Sequence, residues 1–494
     1  MVESSYICTF PKVLILNTMS LYIFAIGGSG SRILRSLTML LASGVKTKSN
    51  IIPIIIDPDA SNGDLERTSP ILTKYEDIRN SLKFDETFKN NFFRTSISSL
   101  NNDRNYLLPL AGTSGISYEK YLGLESMSKE NQAITRMLFS DDNLNSSMDV
   151  GFKGNPNIGS VVLNQFTKSD EFVNFENNFT NGDKVFIISS IFGGTGASGF
   201  PLLLKTLRTS NNTALSSAPI GAVSLLPYFN LQSNENSTIE ADSFISKSKA
   251  ALNYYDRNVT GNGTLTDMYY LGDDFTGHSY QNCEGGSGQA NDAHFIELLG
   301  ALSIIDFDIH RTSNNTATTF HEFSLEQLPE GSIVFSDMGP DTCDILLKPL
   351  SMMALLNSYL NNRDISHRIS QRWAIERKGI LGRSFFNSQF FRDYTMFQKM
   401  FEDWLNELKG NQISFAPFNE DKEIVSDGLD KIKGIKPSNY KFKLLGGKRG
   451  YDLIDEHLCK DLKSVPQNTD AATTFMELFY NTLSSICSKH LNIN

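Results

Sequence analysis

The chain has 494 residues, of which 40% are hydrophobic and 20% are charged, and its 45 Lys and Arg against 55 Asp and Glu give a net charge of -10. This composition is typical of a globular protein and excludes a disordered chain. The acidic balance argues against a general nucleic-acid binder, which needs a basic face to neutralise phosphates. It leaves room for a local anion site made of backbone N–H groups, which do not change the net charge.

The cysteine spacing and the hydropathy of the chain narrow the class of protein further. The five cysteines are widely scattered and form no Cys-x-x-Cys pair, so we expect isolated thiols in a reducing cytoplasm. No apolar run approaches the ~20 residues that span a bilayer, which predicts a chain without a transmembrane segment. Residues 1–18 precede the first convincing strand, and we expect an N-terminal extension there that need not be ordered.

From residue 19 onward, short apolar runs alternate with amphipathic helical patterns. The apolar runs predict buried strands at 21–26, 51–56, 185–189, 220–225 and 268–271. Residues 60–150 are polar, and they predict helices and loops inserted after the second strand. Apolar strands separated by helices predict an α/β fold with a parallel sheet covered on both faces.

The second part of the chain carries weaker signals. A polar stretch at 312–325 predicts a boundary between a first domain, 19–311, and a second domain, 326–494. In the second domain, 332–335 predicts a strand, and 391–408 predicts an amphipathic helix that ends at Gly410. We therefore expect a smaller α+β C-terminal domain.

Two glycine-rich turns each follow a predicted strand and open a helix. The first comprises Gly27, Gly28, Ser29, Gly30, Ser31 and Arg32, and the second comprises Gly193, Gly194, Thr195, Gly196, Ala197, Ser198 and Gly199. Glycines let the backbone approach a phosphate, and a helix N-terminus supplies N–H donors and a positive dipole end. Taken alone, the first turn is explained equally well as a tight strand-to-helix connection that binds no ligand. The second is not a Walker loop, because no Gly-Lys-Ser/Thr follows it.

The second turn resembles the signature loop of the tubulin/FtsZ superfamily, GGGTG[TS]G. Phe192 stands where the family usually has its first glycine, and Ala197 with Ser198 replaces one residue. The segment 151–159 is similar to the GxGxxxNPxxG loop of FtsZ, which caps the terminal phosphate. Four residues of this segment are therefore candidates for nucleotide binding: Gly154, Asn155, Pro156 and Gly159.

Further matches follow in the family's order. The segment 220–229 resembles the next strand, which ends in a Pro-Phe pair in FtsZ. Asn291 and Asp292 open an apolar-faced helix that resembles the central helix, whose first turn recognises guanine. A carboxylate accepts from guanine N1–H and N2–H₂ together, and adenine lacks that donor pair. A plain helix N-cap is the alternative for these two residues.

An acidic turn follows the second predicted strand. Asp57 and Asp59 occupy the position of the family's acidic loop, so the resemblance implies that they lie near Mg²⁺, held largely through water. An Asx-Pro turn is the alternative. In the family, acidic residues after the central helix activate water in the next subunit. Asp306 and Asp308 are the only candidates for that role, and they lie too early and lack the family's asparagine.

The resemblance covers about residues 20–305. It implies a bacterial, cytoplasmic tubulin-like protein that binds GTP or GDP with Mg²⁺. Two functions remain open: a GTPase that self-associates head-to-tail into filaments, and a switch or scaffold that works with unidentified protein partners and hydrolyses little.

A second family fits residues 24–67. The string GGSGSR…IIIDPDASNGDLER resembles the ThiF/MoeB-type adenylating enzymes, which would make Asp57 and Asp59 ATP–Mg²⁺ groups and Arg67 a phosphate ligand. The paired Cys-x-x-Cys zinc site of those enzymes is missing, and they have no role for the turns at 154–159 and 193–199. A dinucleotide-binding dehydrogenase is disfavoured because the first turn lacks GxGxxG.

Overall fold

A computed structural model describes most of the chain. The described residues are 19–59, 61–110, 112–113, 115–148, 152, 155–231, 242–260, 263–273, 279–280, 286, 291–310, 317–322, 330–377, 379–419, 429–435, 450–467 and 469–493. The predicted extension 1–18 lies outside them, as does Gly154.

Strands and helices alternate through the first part of the chain. The strands are β1 (Ser20–Ile26), β2 (Asn50–Ile56), β3 (Lys184–Ser190), β4 (Ile220–Leu225), β5 (Asn230–Leu231), β6 (Asp267–Leu271), β7 (Ser279–Tyr280) and β8 (Thr319–Glu322). The helices up to β8 are α1 (Gly27–Ala42), α2 (Gly63–Asn80), α3 (Tyr118–Leu122), α4 (Lys129–Leu138), α5 (Asp141–Asn145), α6 (Pro156–Leu163), α7 (Asp170–Asn178), α8 (Gly194–Arg208), α9 (Thr213–Ser216), α10 (Asp242–Tyr255) and α11 (Phe295–His310).

A six-stranded parallel sheet with the order β2-β1-β3-β4-β6-β8 forms the centre of the molecule. Every residue of β3 and β4 is buried, because helices cover both faces, which is why these strands read as continuous apolar runs. The register pairs Ile26 with Ile56 and Ala25 with Ile188, so the strands end at a common edge. The predicted α/β class is confirmed.

The sheet extends beyond the central helix α11. Strand β8 pairs in parallel with β6, so residues 319–322, which fall inside the predicted boundary, belong to the sheet. None of the helices in the described part of the chain is long and apolar enough to cross a membrane.

The C-terminal part differs from the expected α+β domain. Its described residues form the helices α12 (Pro340–Asn362), α13 (Ile365–Ser370), α14 (Arg372–Glu376), α15 (Arg383–Phe386), α16 (Gln389–Gly410), α17 (Gly450–Asp461) and α18 (Ala471–His490). The predicted strand at 332–335 is wrong, since Ile333 makes one isolated bridge to Phe415 and a short 3₁₀ turn follows. The predicted helix at 391–408 is confirmed as α16.

The two parts of the chain share one hydrophobic core. A single cluster of buried side chains runs from Leu21 to Ile493. Helix α16 packs on α1 and α2: the Trp404 indole N–H donates to Ser36 Oγ at 3.2 Å, and the Phe397 and Tyr75 rings lie 6.5 Å apart. The aromatic residues of α16 therefore serve packing, as their helical spacing predicts.

Candidate functional site

Three helices begin together at the edge where the parallel strands end. Helix α1 follows β1 directly, and α8 begins shortly after β3. A Cβ built on Gly27 would lie 3.5 Å from the Thr195 Cβ, which places the first two turns side by side. A Cβ on Gly159 would lie 2.2 Å from Ser198 Oγ, so α6 packs against the same turn. The structure thus brings the three predicted segments together.

These three helix N-termini share an electrostatic feature. No side chain caps α1, α6 or α8, and none of them has an acidic residue in its first turn. In contrast, Asn62 caps the neighbouring helix α2, and side chains also cap α7, α16 and α18. The first N–H groups of a helix lack intrahelical partners and carry the positive end of the dipole. Their convergence therefore gives this edge the electrostatic character that suits an anion.

The structure explains in two different ways why glycine is required in the two turns. Gly27 has φ +74°, a left-handed conformation that L side chains rarely adopt. A Cβ on Gly30 would lie 2.6 Å from the Ala25 carbonyl carbon, and one on Gly196 would lie 2.7 Å from the Ser190 backbone nitrogen. Gly30 and Gly196 thus allow each helix to pack closely on the strand before it, and this packing aims the helix N-termini at the common edge.

Phe192, which departs from the family pattern, does not obstruct the second turn. Its side chain is buried, and its ring lies 5.6 Å from the Phe229 ring and 6.2 Å from the Tyr228 ring. The aromatic side chain thus packs beside the residues that follow β4. The glycine that the family has here is therefore not required by the backbone path of this chain.

Most hydroxyl groups of the two turns are buried or bonded within the fold. Ser198 Oγ donates to the Gly194 and Thr195 carbonyls of its own helix, and Ser31 is completely buried. Ser29 Oγ accepts a bond from Arg32 at 3.3 Å. Thr195, which is half-buried, is therefore the best-placed hydroxyl for a phosphate.

The segment before α6 has the features of a helix start. Asn155 takes the N-cap position without a side-chain cap bond, and Pro156 opens the helix, where its fixed φ is favourable. Gly154 lies outside the described residues, so its predicted role over the terminal phosphate stays a prediction.

Two predicted metal ligands lie beside the first turn. Asp57 Oδ1 accepts the Asp59 N–H at 3.0 Å, and Asp59 Oδ2 accepts the Gly286 N–H at 2.7 Å. Burial raises the pKa of Asp57 to about 7; the Asp59 N–H opposes this rise, and the charges of Asp59 and Asp64 add to it. The described residues contain no group of three metal-binding side chains. Two carboxylates suit Mg²⁺, which keeps several waters and commonly binds with a phosphate ligand.

The raised pKa predicts how pH affects metal-free protein. Unfolded Asp57 ionises near its ordinary pKa of ~3.9, whereas the folded group keeps its proton to about 7. Folding thus takes up a proton between these values, so the free energy of unfolding falls as pH rises through that window. We expect Asp57→Asn to lack this fall and to gain up to ~4 kcal/mol relative to wild type by pH 8. Urea unfolding in EDTA at pH 5 and pH 8 measures the free energy of unfolding of both proteins. A difference between Asp57→Asn and wild type that is the same at both pH values would contradict the prediction.

Arg32 lies inside a buried charge network and also contacts the first turn through Ser29. Its guanidinium pairs with the carboxylates of Asp64 and Glu297, and it donates to the Tyr228 hydroxyl at 3.0 Å. Burial tends to lower the pKa of Arg32, but the nearby acidic groups raise it well above its ordinary value. The Arg32 side chain thus stabilises the junction of α1, α2 and α11, and its predicted phosphate contact stays a prediction.

The network continues into the C-terminal part of the chain. Glu407 of α16 pairs with Arg35 at 2.8 Å and with Arg67 at 2.9 Å, and it accepts the Ala293 N–H. Arg67 also pairs with Asp64 at 3.2 Å. Arg67 is thus held by carboxylates, which does not favour the phosphate role that the adenylating-enzyme resemblance implies.

Sequence reasoning missed this network, although one signal was present. Glu297 is a charged residue on the apolar central helix, and its side chain is buried. A buried carboxylate needs a partner, so Glu297 alone indicates a nearby cation.

The predicted base-recognition residues lie just before α11, which begins at Phe295, so they do not open the helix as predicted. The Asn291 amide donates to Asp64 at 3.1 Å, whereas the Asp292 side chain is exposed. The small cavity beside them has a volume of only about 40 Å³. It is lined by Arg32, Tyr228, Phe229, Asn291, Asp292, His294, Glu297 and Asn411. Asp292 is the accessible acceptor, and a base that uses the Asn291 amide must displace Asp64.

The two predicted catalytic residues lie at the opposite edge of the sheet. Asp308 is completely buried; it pairs with Lys184 at 3.0 Å and accepts the Ser49 hydroxyl at 2.6 Å. Asp306 accepts the Tyr269 hydroxyl at 2.7 Å. Asp308 is therefore a structural residue that joins α11 to β2 and β3, and the structure does not support its assignment to catalysis.

Comparison with known proteins gives matches among solved structures alone. No known protein-family model matches the chain. No curated protein sequence matches it either.

The matching structures include CetZ from Methanosaeta thermophila, with 14% identity over 60% of this chain and 57% of that one and a TM-score of 0.30. They also include a GTPγS-bound protofilament of CetZ2 from Haloferax volcanii, with 11% identity, 59% of each chain and a TM-score of 0.28. A third is a GTPγS-form protofilament of TubZ from Bacillus thuringiensis serovar israelensis, with 12% identity, 52% of this chain, 49% of that one and a TM-score of 0.25.

All three matches are tubulin-like proteins, the family that the glycine-rich turns resemble. The chain spans about half to three-fifths of the length of these structures.

Proposed function

We propose that this chain is a divergent member of the tubulin/FtsZ superfamily that binds a guanosine nucleotide, with the phosphates held by the N-termini of α1, α6 and α8. The observation that carries the proposal is the convergence of three uncapped helix starts without acidic residues. A carboxylate in these positions would stabilise each helix. Its absence from all three leaves the N–H donors to an anionic ligand.

The expected affinity follows from the number of donors. A hydrogen bond to a charged group contributes ~1.5–3 kcal/mol. Several such bonds together supply the ~8 kcal/mol that corresponds to micromolar binding. Hydrogen bonds from the three helix starts would therefore be a main contribution to the binding free energy, offset in part by the entropy lost on association. Mg²⁺, held by the phosphates and by Asp57 or Asp59, would neutralise the negative charge that the nucleotide brings close to these carboxylates.

Asp292 supplies the selectivity for guanine in this proposal. We expect wild type to bind GTP more tightly than ATP, and Asp292→Asn to weaken GTP binding by about 10- to 100-fold, because the amide loses an acceptor for a donor pair. The same variant should gain affinity for xanthosine triphosphate, because its C2 carbonyl can accept a hydrogen bond from the new amide. Competition against a fluorescent GTP analogue measures these affinities.

A matched variant controls for charge. Asp341→Asn removes an exposed carboxylate from the start of α12 and should leave all three affinities unchanged. Equal binding of GTP and ATP by wild type would contradict the guanine assignment, and a preference for ATP would favour the adenylating-enzyme alternative.

The proposal covers nucleotide binding, and it does not assign hydrolysis to Asp306 and Asp308. Light scattering during the same titration separates the two functions left open by the sequence. Scattering that rises with GTP and not with GDP indicates filaments, whereas constant scattering at saturating GTP indicates a nucleotide-binding switch or scaffold.

A further inference from the structure

A basic depression lies at the edge of the sheet opposite the glycine-rich turns. It has a volume of about 520 Å³ and is formed by the end of α1, the start of β2 and the segment 88–96. Four cations line it, and no acidic residue does: Lys46, Lys48, Lys89 and Arg94. We call this depression the basic trough. The 16 residues of α1 separate it from the glycine-rich turns by about 24 Å.

The four cations of the basic trough have no ion-pair partner within the described ranges. Lys46, Lys48 and Lys89 are exposed. Arg94 is held in place, because its guanidinium donates to the Phe88 and Asn90 carbonyls at 3.1 and 3.0 Å. Neutral carbonyls fix the position of the guanidinium without cancelling its charge.

Two nearby carboxylates are already used inside the fold, whereas the exposed Asp85 interacts electrostatically with Arg94 without forming an ion pair. Asp308 pairs with Lys184, and Glu477 accepts the backbone N–H groups of Lys89 and Asn90. Both carboxylates are buried. The chain has a net charge of -10, so a concave group of four unpaired cations is a local reversal of its overall charge. Such a patch attracts anionic ligands selectively.

A second depression of about 340 Å³ adjoins the basic trough and shares Lys46 with it. Its lining is mixed, and its apolar members include Val45, Ile309, Ile345, Pro349 and Met352. Asp344 and Lys348 also line it, so this part carries no excess of positive charge. Within one continuous groove, the surface therefore changes from strongly cationic to electrically balanced with several apolar side chains.

We propose that this groove binds a peptide segment of a partner protein in which consecutive acidic residues precede an apolar side chain. The carboxylates would contact the four cations, and the apolar side chain would enter the second depression beside Ile345. A nucleic acid fits less well, because its next phosphate would meet Asp344 and an apolar wall. The site does not depend on nucleotide binding.

The test uses the full chain and a fluorescein-labelled peptide, Asp-Glu-Asp-Glu-Leu-Phe, followed by fluorescence anisotropy. We expect saturable binding that Lys46→Glu with Lys89→Glu weakens by about tenfold or more. Lys205→Glu with Lys399→Glu makes the same charge change at exposed sites outside the groove, and it should change the affinity by less than about twofold. Binding should also weaken as salt rises from ~0.05 to ~0.3 M.

The apolar subsite is tested separately. Ile345→Gln should weaken binding of the Leu-Phe peptide and leave a peptide that ends in Ser-Ser unaffected. Three outcomes would each overturn the proposal. The first is an equal loss of affinity in the two double-lysine variants, and the second is binding that survives replacement of the acidic peptide residues by Asn and Gln. The third is tighter binding of a single-stranded oligonucleotide of equal charge. Thermal melting of every variant confirms that the fold is retained, and Lys46→Ala with Lys89→Ala gives a milder version of the same loss.

Discussion

Thr195→Glu is expected to abolish nucleotide binding while leaving the fold intact. The new carboxylate would lie in the first turn of α8, where a negative charge interacts favourably with the helix dipole by ~0.3–1 kcal/mol. The same charge would repel a phosphate about 4 Å away by ~4 kcal/mol at an effective dielectric constant of ~20. We therefore expect affinity to fall by roughly three powers of ten. Calorimetric titration with GTP measures the loss, and urea unfolding measures the stability.

Thr213→Glu is the matched control for this variant. Thr213 is exposed and opens α9, so the substitution adds the same charge at a helix start outside the convergent edge. GTP affinity should be unchanged there. If Thr195→Glu binds GTP as wild type does, the phosphates do not lie at α8 and the site assignment is wrong.

Arg32→Met is expected to cause the largest loss of stability, about 3–5 kcal/mol, because it removes the cation from a buried pair of carboxylates. Asp64 would keep Arg67, but Glu297 would keep only neutral donors, such as the Tyr228 hydroxyl at 3.0 Å. Chemical unfolding monitored by circular dichroism measures the change in the free energy of unfolding.

Two comparisons separate the structural role of Arg32 from the phosphate role that its motif implies. Arg372→Met breaks an exposed pair with Glu376 and should cost less than ~1 kcal/mol. The double variant Arg32→Met with Glu297→Gln should recover part of the lost stability, because the uncompensated charge is gone. Wild-type stability of Arg32→Met together with weak GTP binding would instead restore the phosphate role.

The strands were the most predictable part of the fold. The predicted run 220–225 coincides with β4, and 21–26 differs from β1 by one residue. Both are buried on two faces, so the apolar run itself marks the strand. The segment 332–335 has the same short apolar character, but there its backbone pairs at one residue only. Local composition cannot distinguish these cases, because the partner strand is a tertiary feature.

The glycine-rich turns were predictable as a site, and the roles of individual residues in them were not. Gly30 and Gly196 are needed for helix–strand packing, which a sequence motif does not separate from contact with a ligand. The charge partners of Arg32 and Asp308 were not predictable, for a common reason. Each residue pairs with a charge that is far away in the sequence, Glu297 for Arg32 and Lys184 for Asp308.

Hydrogen–deuterium exchange of the full chain with and without saturating GTP and Mg²⁺ tests the central claim most directly. The backbone amides at the starts of α1, α6 and α8 belong to peptides that are distant in sequence, so they report independently. We predict that GTP slows exchange in all three together and leaves the basic trough at 44–50 unchanged. Protection of only one of the three helix starts, or binding with protection elsewhere, would contradict a shared phosphate site.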